Sequence, residues 1–290
     1  MIDRGSNPAG YKACVIGFSI LGIDSKNNYG VVVMVATVSA LTRFPVKGLS
    51  GESLSKVNLE TGQGFPCDRQ FGFARPNSGF DPKDPKPLPK TKFYMLARDA
   101  ELALLNTEFD EATGRLTLSN SGNTEQFDIT SDQGRKDASQ FLKSYLSLAD
   151  DETPQLYAAS PHRFTDVSVD SVAMMNAVSI INLESVREFS KAIGKTVDPN
   201  RFRGNIHLSG MPAFEELDSV GRLLTIGTTR MKIVQRTQRC PATEVNLTTG
   251  LRDLKTPKLL REHYRHMDMG VYAEVVDGGA ISSGDTAEFN

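Results

Sequence analysis

Cys240 lies near the end of residues 219–243, a stretch that holds no acid and five bases: Arg222, Arg230, Lys232, Arg236 and Arg239. A thiol beside fixed positive charge has its thiolate favoured, and a thiolate is both a nucleophile and a soft metal ligand. Pro241 follows at once and cannot donate to a sheet ladder, so Cys240 is expected at a strand-to-loop transition. A free cysteine is as readily a small buried hydrophobe, and spacing alone leaves both readings open. Two other stretches join bases to glycine: Arg43-Phe44-Pro45-Val46-Lys47-Gly48-Leu49 and Arg201-Phe202-Arg203-Gly204-Asn205. Cys67-Asp68-Arg69 adds a further base in a loop. Glycine lets backbone amides approach an anion, and arginine forks match phosphate geometry. One such loop alone reads as an ordinary solvated loop; together they point to an anion pocket for a phosphate-bearing cofactor. His263 and His266, with Asp268 nearby, have spacing open to a metal. Their neighbours Arg261, Glu262 and Arg265 suit a solvated helix end better. The chain contains no Walker loop, nucleotide fingerprint or nucleophile-elbow serine.

These loops need strands and helices to hold them. From Met34 the sequence Val35-Ala36-Thr37-Val38-Ser39-Ala40-Leu41 alternates and is rich in β-branched residues, which predicts a strand. Further strands are expected at 71–74, 102–109 and 114–118, the last two joined by a turn at 110–113, and at 127–130, 156–159 and 177–181. Later ones are expected at 206–208, 223–226, 231–236, 271–276 and 286–289. Helical spacing marks 135–148 and the segment from Asn182 to about Ile193, with Gly194 as its stop; Pro257 opens a short helix over 257–264. Residues 76–90 hold five prolines and read as a structureless surface loop. The pattern predicts a mainly β protein with a few helices, built as barrels in two parts, 34–153 and 154–290. Residues 1–33 read poorly as part of a fold, and Met34 is expected to be the natural start, with an N-terminal extension before it.

With 290 residues, 33 basic and 35 acidic side chains and 39% hydrophobic residues, the chain can bury a sizeable core without staples. A net charge of −2 argues against a polybasic nucleic-acid binder. Three scattered cysteines give no disulfide framework and suit a reducing compartment. No window reaches the ~18–20 apolar residues of a membrane span. The apolar run at 13–23, with Arg4 and Lys12 upstream, has the look of a secretory signal, but no small-residue cleavage site follows promptly. A cytoplasmic protein is expected.

The residues in hand resemble a known family. Phe44-Pro45-Val46-Lys47-Gly48-Leu49 and Asp68-Arg69 are similar to the N-terminal β-barrel module that accompanies MOSC domains. Arg201 to Ile206, Arg239-Cys240-Pro241-Ala242-Thr243, Thr249-Gly250, Gly270-Val271-Tyr272 and Gly284-Asp285 resemble the MOSC domain itself. That domain is shared by molybdenum-cofactor sulfurases and the mitochondrial amidoxime-reducing component. The resemblance implies a molybdopterin cofactor whose molybdenum is bound by Cys240, the residue on which catalysis would centre. It implies phosphate and pterin contacts from Lys47, Gly48, Arg69, Arg203, Asn205, Arg239 and Thr243, and from Ser185 and Tyr272 on a looser match. Gly48 departs from the serine of the amidoxime-reducing proteins, and Asn246 replaces a common acid.

The resemblance further implies an oxidoreductase acting on N-hydroxylated small molecules. Three scattered cysteines cannot hold an iron–sulfur cluster, so electrons would come from a separate donor protein of iron–sulfur, flavin or haem type. The alternative in another class is a carrier of molybdopterin, or of sulfur as a Cys240 persulfide, without turnover.

Overall fold

A computed structural model describes residues 34–290. Residues 1–33, with the proposed extension and Cys14, lie outside the described residues. Strand β1 (Met34–Arg43) opens the fold, followed by β2 (Glu52–Leu54), β3 (Lys56–Leu59) and β4 (Phe71–Ala74). The meander β5 (Asn106–Asp110), β6 (Arg115–Asn120) and β7 (Asn123–Asp128) leads into helix α1 (Asp132–Tyr145) and strand β8 (Gln155–Ala158). Then come α2 (Val172–Met175), β9 (Val178–Asn182), α3 (Leu183–Ile193), β10 (Ile206–Ser209), β11 (Leu223–Ile226) and β12 (Thr229–Gln238). The chain closes with α4 (Thr256–Tyr264), β13 (Asp268–Asp277), β14 (Gly279–Ser282) and β15 (Thr286–Phe289).

Seven strands pair in the order β10-β9-β13-β12-β11-β15-β1, and β1 returns to β10, so the sheet closes on itself as a barrel. Only the β9–β10 pair among these is parallel. The alternation seen in the sequence sends Ala36 and Val38 inward and leaves Val35 on the surface. Val178, Ile180, Ile206, Leu208, Leu224, Ile226, Met231, Ile233, Val271, Ala273 and Phe289 fill the interior with them. Each fully buried large aliphatic contributes ~1.5–3 kcal/mol relative to exposure, and closure leaves the barrel without a free edge.

The strands cross the boundary expected at residue 153. β1, from the first part, supplies a stave of the barrel built otherwise from the second part. β8, from the second part, pairs with β4 of the first. A second core forms around the meander and α1, where Leu116, Leu118, Leu102, Phe73, Ala138 and Leu142 meet. The described residues make one compact unit.

Local chemistry explains most element ends. The Asn182 side chain accepts from the Glu184 N–H at 3.0 Å to cap α3, and Gly194 ends it in the left-handed conformation at φ 65°. The strand expected over 102–109 begins only at Asn106. A 3-10 turn over Ala100–Leu104 takes its place, and the Asp99 side chain ahead of it accepts from the Met95 N–H. The strand expected at 127–130 starts earlier and stops at Asp128, whose carboxylate accepts from the Thr130 N–H and turns the chain toward α1. β14 has no counterpart in the sequence reading, because two glycines in Gly278-Gly279 mask it. The proline-rich loop is anchored: Phe80 is buried among Phe93, Tyr157, His162 and Phe164, at ring separations of 5.1–6.1 Å.

His207 sits inside this architecture on β10, with no hydrogen-bond partner at Nε2. Burial pushes its pKa down to about 4, with Asp198 opposing and Arg239 assisting. The unfolded chain therefore takes up a proton below about 6.5 that the folded chain refuses until about 4. Stability is expected to fall by about 3 kcal/mol as pH drops across that window. His162, also depressed by burial, acts in the same direction. Urea unfolding at pH 7 and pH 4.5 measures the loss; His207→Phe, which cannot titrate, should remove most of it. An unchanged pH dependence in that variant would contradict the assignment.

Candidate functional site

β12 ends at Gln238, the Arg239 N–H donates to the Met267 carbonyl at 2.9 Å, and Pro241 starts a 3-10 turn through Glu244. Cys240 is left extended at the head of that turn, with φ −121° and ψ 172°. The Thr243 N–H and hydroxyl both close on the Cys240 carbonyl, at 3.1 and 2.9 Å. The turn is braced from below by Arg201, which grips Asp253 with both arms at 2.7 and 3.0 Å and reaches the Glu244 carbonyl. Cys240 is thus half-buried at the strand-to-loop transition that Pro241 foretold.

It lines a cavity of about 310 Å³ together with Lys47, Gly48, Arg69, Arg203, Asn205, Arg239, Thr243 and Tyr272. This volume lies at the small end of the range for small-molecule sites, ~300–1,000 Å³. Six cationic side chains stand on the walls: Lys47, Arg69, Lys90, Arg201, Arg203 and Arg239. Asp68, Asp166 and Asp170 stand among them.

The cations around the thiol are not those adjacent to it in sequence. Of the five bases in residues 219–243, Arg239 alone lines the cavity. Arg222 is held at the Phe289 carbonyl, Arg230 pairs with Asp277, and Arg236 reaches Asp218 and the Leu217 carbonyl. Gln235, Thr237 and Gln238 of β12 and Arg239 just beyond it line the cavity, whereas Arg230, Lys232 and Arg236 do not. Arg239 itself donates Nε to the Met269 carbonyl at 2.8 Å and Nη1 to that of Phe202 at 2.8 Å, and Nη2 returns to Met269. Burial lowers its pKa to about 10, while Tyr272 and Cys240 act to raise it.

Lys90, from the end of the proline-rich loop, was missed by sequence reasoning. Its ammonium lies 3.2 Å from Asp166 and interacts with the Cys240 thiol. Desolvation lowers its pKa, but Asp166 and Cys240 outweigh this and leave it above the ordinary lysine value. Lys47 donates to the Phe164 carbonyl at 2.9 Å and to Asp166. Its burial lowers its pKa despite that carboxylate. Asp166, also missed, is held well below the usual carboxylate range because the two ammonium groups outweigh its desolvation. No local motif surrounds either residue; they meet only because the chain brings positions 90, 166 and 240 together.

Two expected contacts take a different form. Ser185 lies outside the cavity: its hydroxyl donates to the buried Glu216 carboxylate and accepts from the Phe214 N–H at 2.7 Å. Asn205 lines the cavity, but its amide is committed to the protein, donating to the Thr42 carbonyl and Asp68 and accepting from the Ser179 N–H. At Gly48 (φ +84°) a Cβ would approach the Tyr94 carbonyl to 3.0 Å and the Met95 Cα to 3.1 Å, so a serine here would be strained. Desolvation raises the pKa of Tyr272, which keeps its phenol protonated on the cavity wall. His263 and His266 flank Tyr264 in an aromatic cluster, and the His266 Nδ1 accepts from the Asp268 N–H at 3.1 Å. Among the described residues no cluster of three or more His, Cys, Asp or Glu side chains is arranged to hold a metal.

Just past the end of β12, the closed barrel carries one half-buried thiol on a cavity that six cations also line. A family model described as "MOSC domain" matches residues 161–288, and one described as "MOSC N-terminal beta barrel domain" matches residues 35–158. The chain belongs to the MOSC domain proteins, with the N-terminal module preceding the MOSC domain. Two curated relatives, the mitochondrial amidoxime reducing component 2 of Bos taurus and of Rattus norvegicus, are each 33% identical over 120 residues. Those alignments cover 37% of this chain and 35% of each relative, so the match spans about a third of their length. Among solved structures, the YUAD protein from Bacillus subtilis is 13% identical, with 89% of this chain and 96% of that one covered at a TM-score of 0.40. YiiM from Geobacillus stearothermophilus is 22% identical, with 39% and 53% covered at a TM-score of 0.31. Likeness of that degree carries no argument about this chain. No helix among the described residues is long and apolar enough to cross a membrane.

Proposed function

We propose that this chain binds the molybdenum cofactor and reduces N-hydroxylated small molecules with electrons from a separate donor protein. The observation that carries the reading is Cys240, half-buried on the wall of a cavity whose other walls bear six cations. The donor set suits the group: a soft sulfur for a redox metal, and guanidinium and ammonium groups for a phosphate. When bound, the cofactor supplies two-electron redox chemistry at its metal. Cys240 would hold that metal, and Lys47, Arg69 and Arg203 would hold the phosphate and pterin. Arg239, with its donors given to backbone carbonyls, contributes charge and fixes the strand end that presents Cys240. Lys90 and Asp166 set the local charge beside the thiol. The family's molybdenum association and the names of the two curated relatives support the same reading.

The test is elemental analysis of chain purified from a host that makes the cofactor, followed by an amidoxime-reduction assay with an artificial electron donor. Stoichiometric molybdenum together with turnover is expected. Cyanide-releasable sulfur in place of molybdenum would overturn the reading in favour of a persulfide carrier.

A further inference from the structure

Arg69 and Arg203 come from loops 134 positions apart, yet both guanidiniums stack on one ring. The Arg69 guanidinium carbon lies 4.4 Å from the centroid of Phe44, and that of Arg203 lies 4.3 Å from it. Both arginines adopt the left-handed backbone conformation, at φ 47° and 53°, which costs a non-glycine residue ~1–3 kcal/mol and persists only where its surroundings enforce it. Burial and the neighbouring Arg69 push the pKa of Arg203 down to about 9. Two like charges are therefore held together in a partly desolvated wall.

We propose that Phe44 is the platform that keeps the Arg69 and Arg203 guanidiniums organised to receive a phosphate-bearing ligand. The negative face of an aromatic ring attracts a guanidinium without neutralising it; Asp68 pairs with Arg69, so the two guanidiniums and the one carboxylate keep a net positive charge for an anion. The ring is fixed from both ends of its backbone. Its N–H donates to Asp68 Oδ1 at 2.8 Å, and its carbonyl accepts from the Arg69 N–H at 2.6 Å. Asp68 also accepts from the Arg69 side chain and from Asn205, so one carboxylate ties the ring to the loop that carries its first cation. The second cation is tied in as well: Arg69 Nη2 donates to the Arg203 carbonyl at 3.0 Å, and Arg203 Nη1 to that of Leu49 at 2.6 Å. Gly51 makes the space. A Cβ there would lie 2.6 Å from Phe44 Cε1 and 2.6 Å from Thr42 Cγ2. Beyond the ring, a second cavity of about 230 Å³ is lined by Phe44, Gly51 and Arg203.

This role rests on the anion-site reading of the larger cavity. The test uses full-length chain produced without cofactor, with inorganic phosphate as the probe in calorimetric titration and the thermal midpoint followed in parallel. Phe44→Leu keeps apolar bulk and loses the π face, and should weaken phosphate binding roughly tenfold, as expected for two such contacts. Phe44→Tyr keeps the face and should bind within about threefold of the parent. Gly51→Ala alters no charge and should also weaken binding by displacing the ring. Equal affinity in Phe44→Leu and the parent would overturn the platform while leaving the anion site standing, as would a loss in Phe44→Tyr as large as in Phe44→Leu. A parent chain that binds no phosphate would instead remove the anion-site reading itself.

Discussion

Cys240→Ser is expected to fold like the parent chain and to lose its molybdenum. The ties of Cys240 to its surroundings run mainly through its carbonyl, which accepts from the Thr243 N–H and hydroxyl and is untouched by the substitution. The side chain is half-buried, and exchange of sulfur for oxygen leaves no large void, so the unfolding free energy should stay within about 0.5 kcal/mol. Metal binding should change far more. A serine hydroxyl is a hard donor that stays protonated at neutral pH, and it offers a soft redox metal neither charge nor polarisability. Loss of a group one layer behind a metal ligand already costs ~10–100-fold in affinity, so loss of the ligand itself should reduce molybdenum content by more than roughly tenfold and turnover to background. Metal and pterin content, measured beside the urea midpoint, decide the matter. Parent levels of molybdenum in Cys240→Ser would remove Cys240 as the ligand.

Gly270→Ala should be among the most damaging single-methyl changes in the barrel. Gly270 lies in β13 at φ +79°, where a Cβ would meet the Ile180 carbonyl at 2.3 Å, Ile181 Cδ1 at 2.7 Å and Arg239 Nη2 at 3.3 Å. The left-handed backbone alone costs an L-residue ~1–2 kcal/mol, and overpacking against a fixed strand adds ~1–3 kcal/mol. A loss of about 4 kcal/mol is expected, a large part of the ~5–15 kcal/mol that a native fold commands. The chain cannot relax cheaply, because Val271 pairs with Ile180 across the β9–β13 ladder. Any shift also moves the Met269 carbonyl that receives Arg239. Gly210 supplies the control. It has φ +88° but nothing within 4 Å of an added Cβ, so alanine there should carry the backbone strain alone. Equal urea midpoints for the two variants would contradict the steric argument.

Much of the fold was legible because its signals are local. The alternation from Met34 to Leu41, the Asn182 cap with its Gly194 stop, and Pro257 just inside α4 each depend on residues a few positions apart. Signals failed where an apolar run closed into a local turn, as at Ala100–Leu104. At the site, the quoted motifs do meet: Lys47, Arg69, Arg203 and Arg239 share a cavity with Cys240. Ser185 did not join them, because the start of a helix looks the same in sequence whether it faces a ligand or a buried glutamate.

The sequence by itself determined that the chain is mainly β, that it carries basic, glycine-bearing loops, and that Cys240 is presented where a strand gives way to a loop. These follow from strand periodicity and from the fixed chemistry of proline, glycine and thiol. Tertiary structure alone decided which charges face the thiol. Of the bases near Cys240 in sequence only Arg239 lines the cavity; Lys232 does not, and Arg230 and Arg236 are turned to Asp277 and Asp218 instead. Closure of the barrel and packing of the N-terminal loops against it bring Lys47, Arg69 and Lys90 to the cavity that the thiol lines. An acid-free run of sequence is therefore not an electropositive site until the fold has sorted its side chains by face.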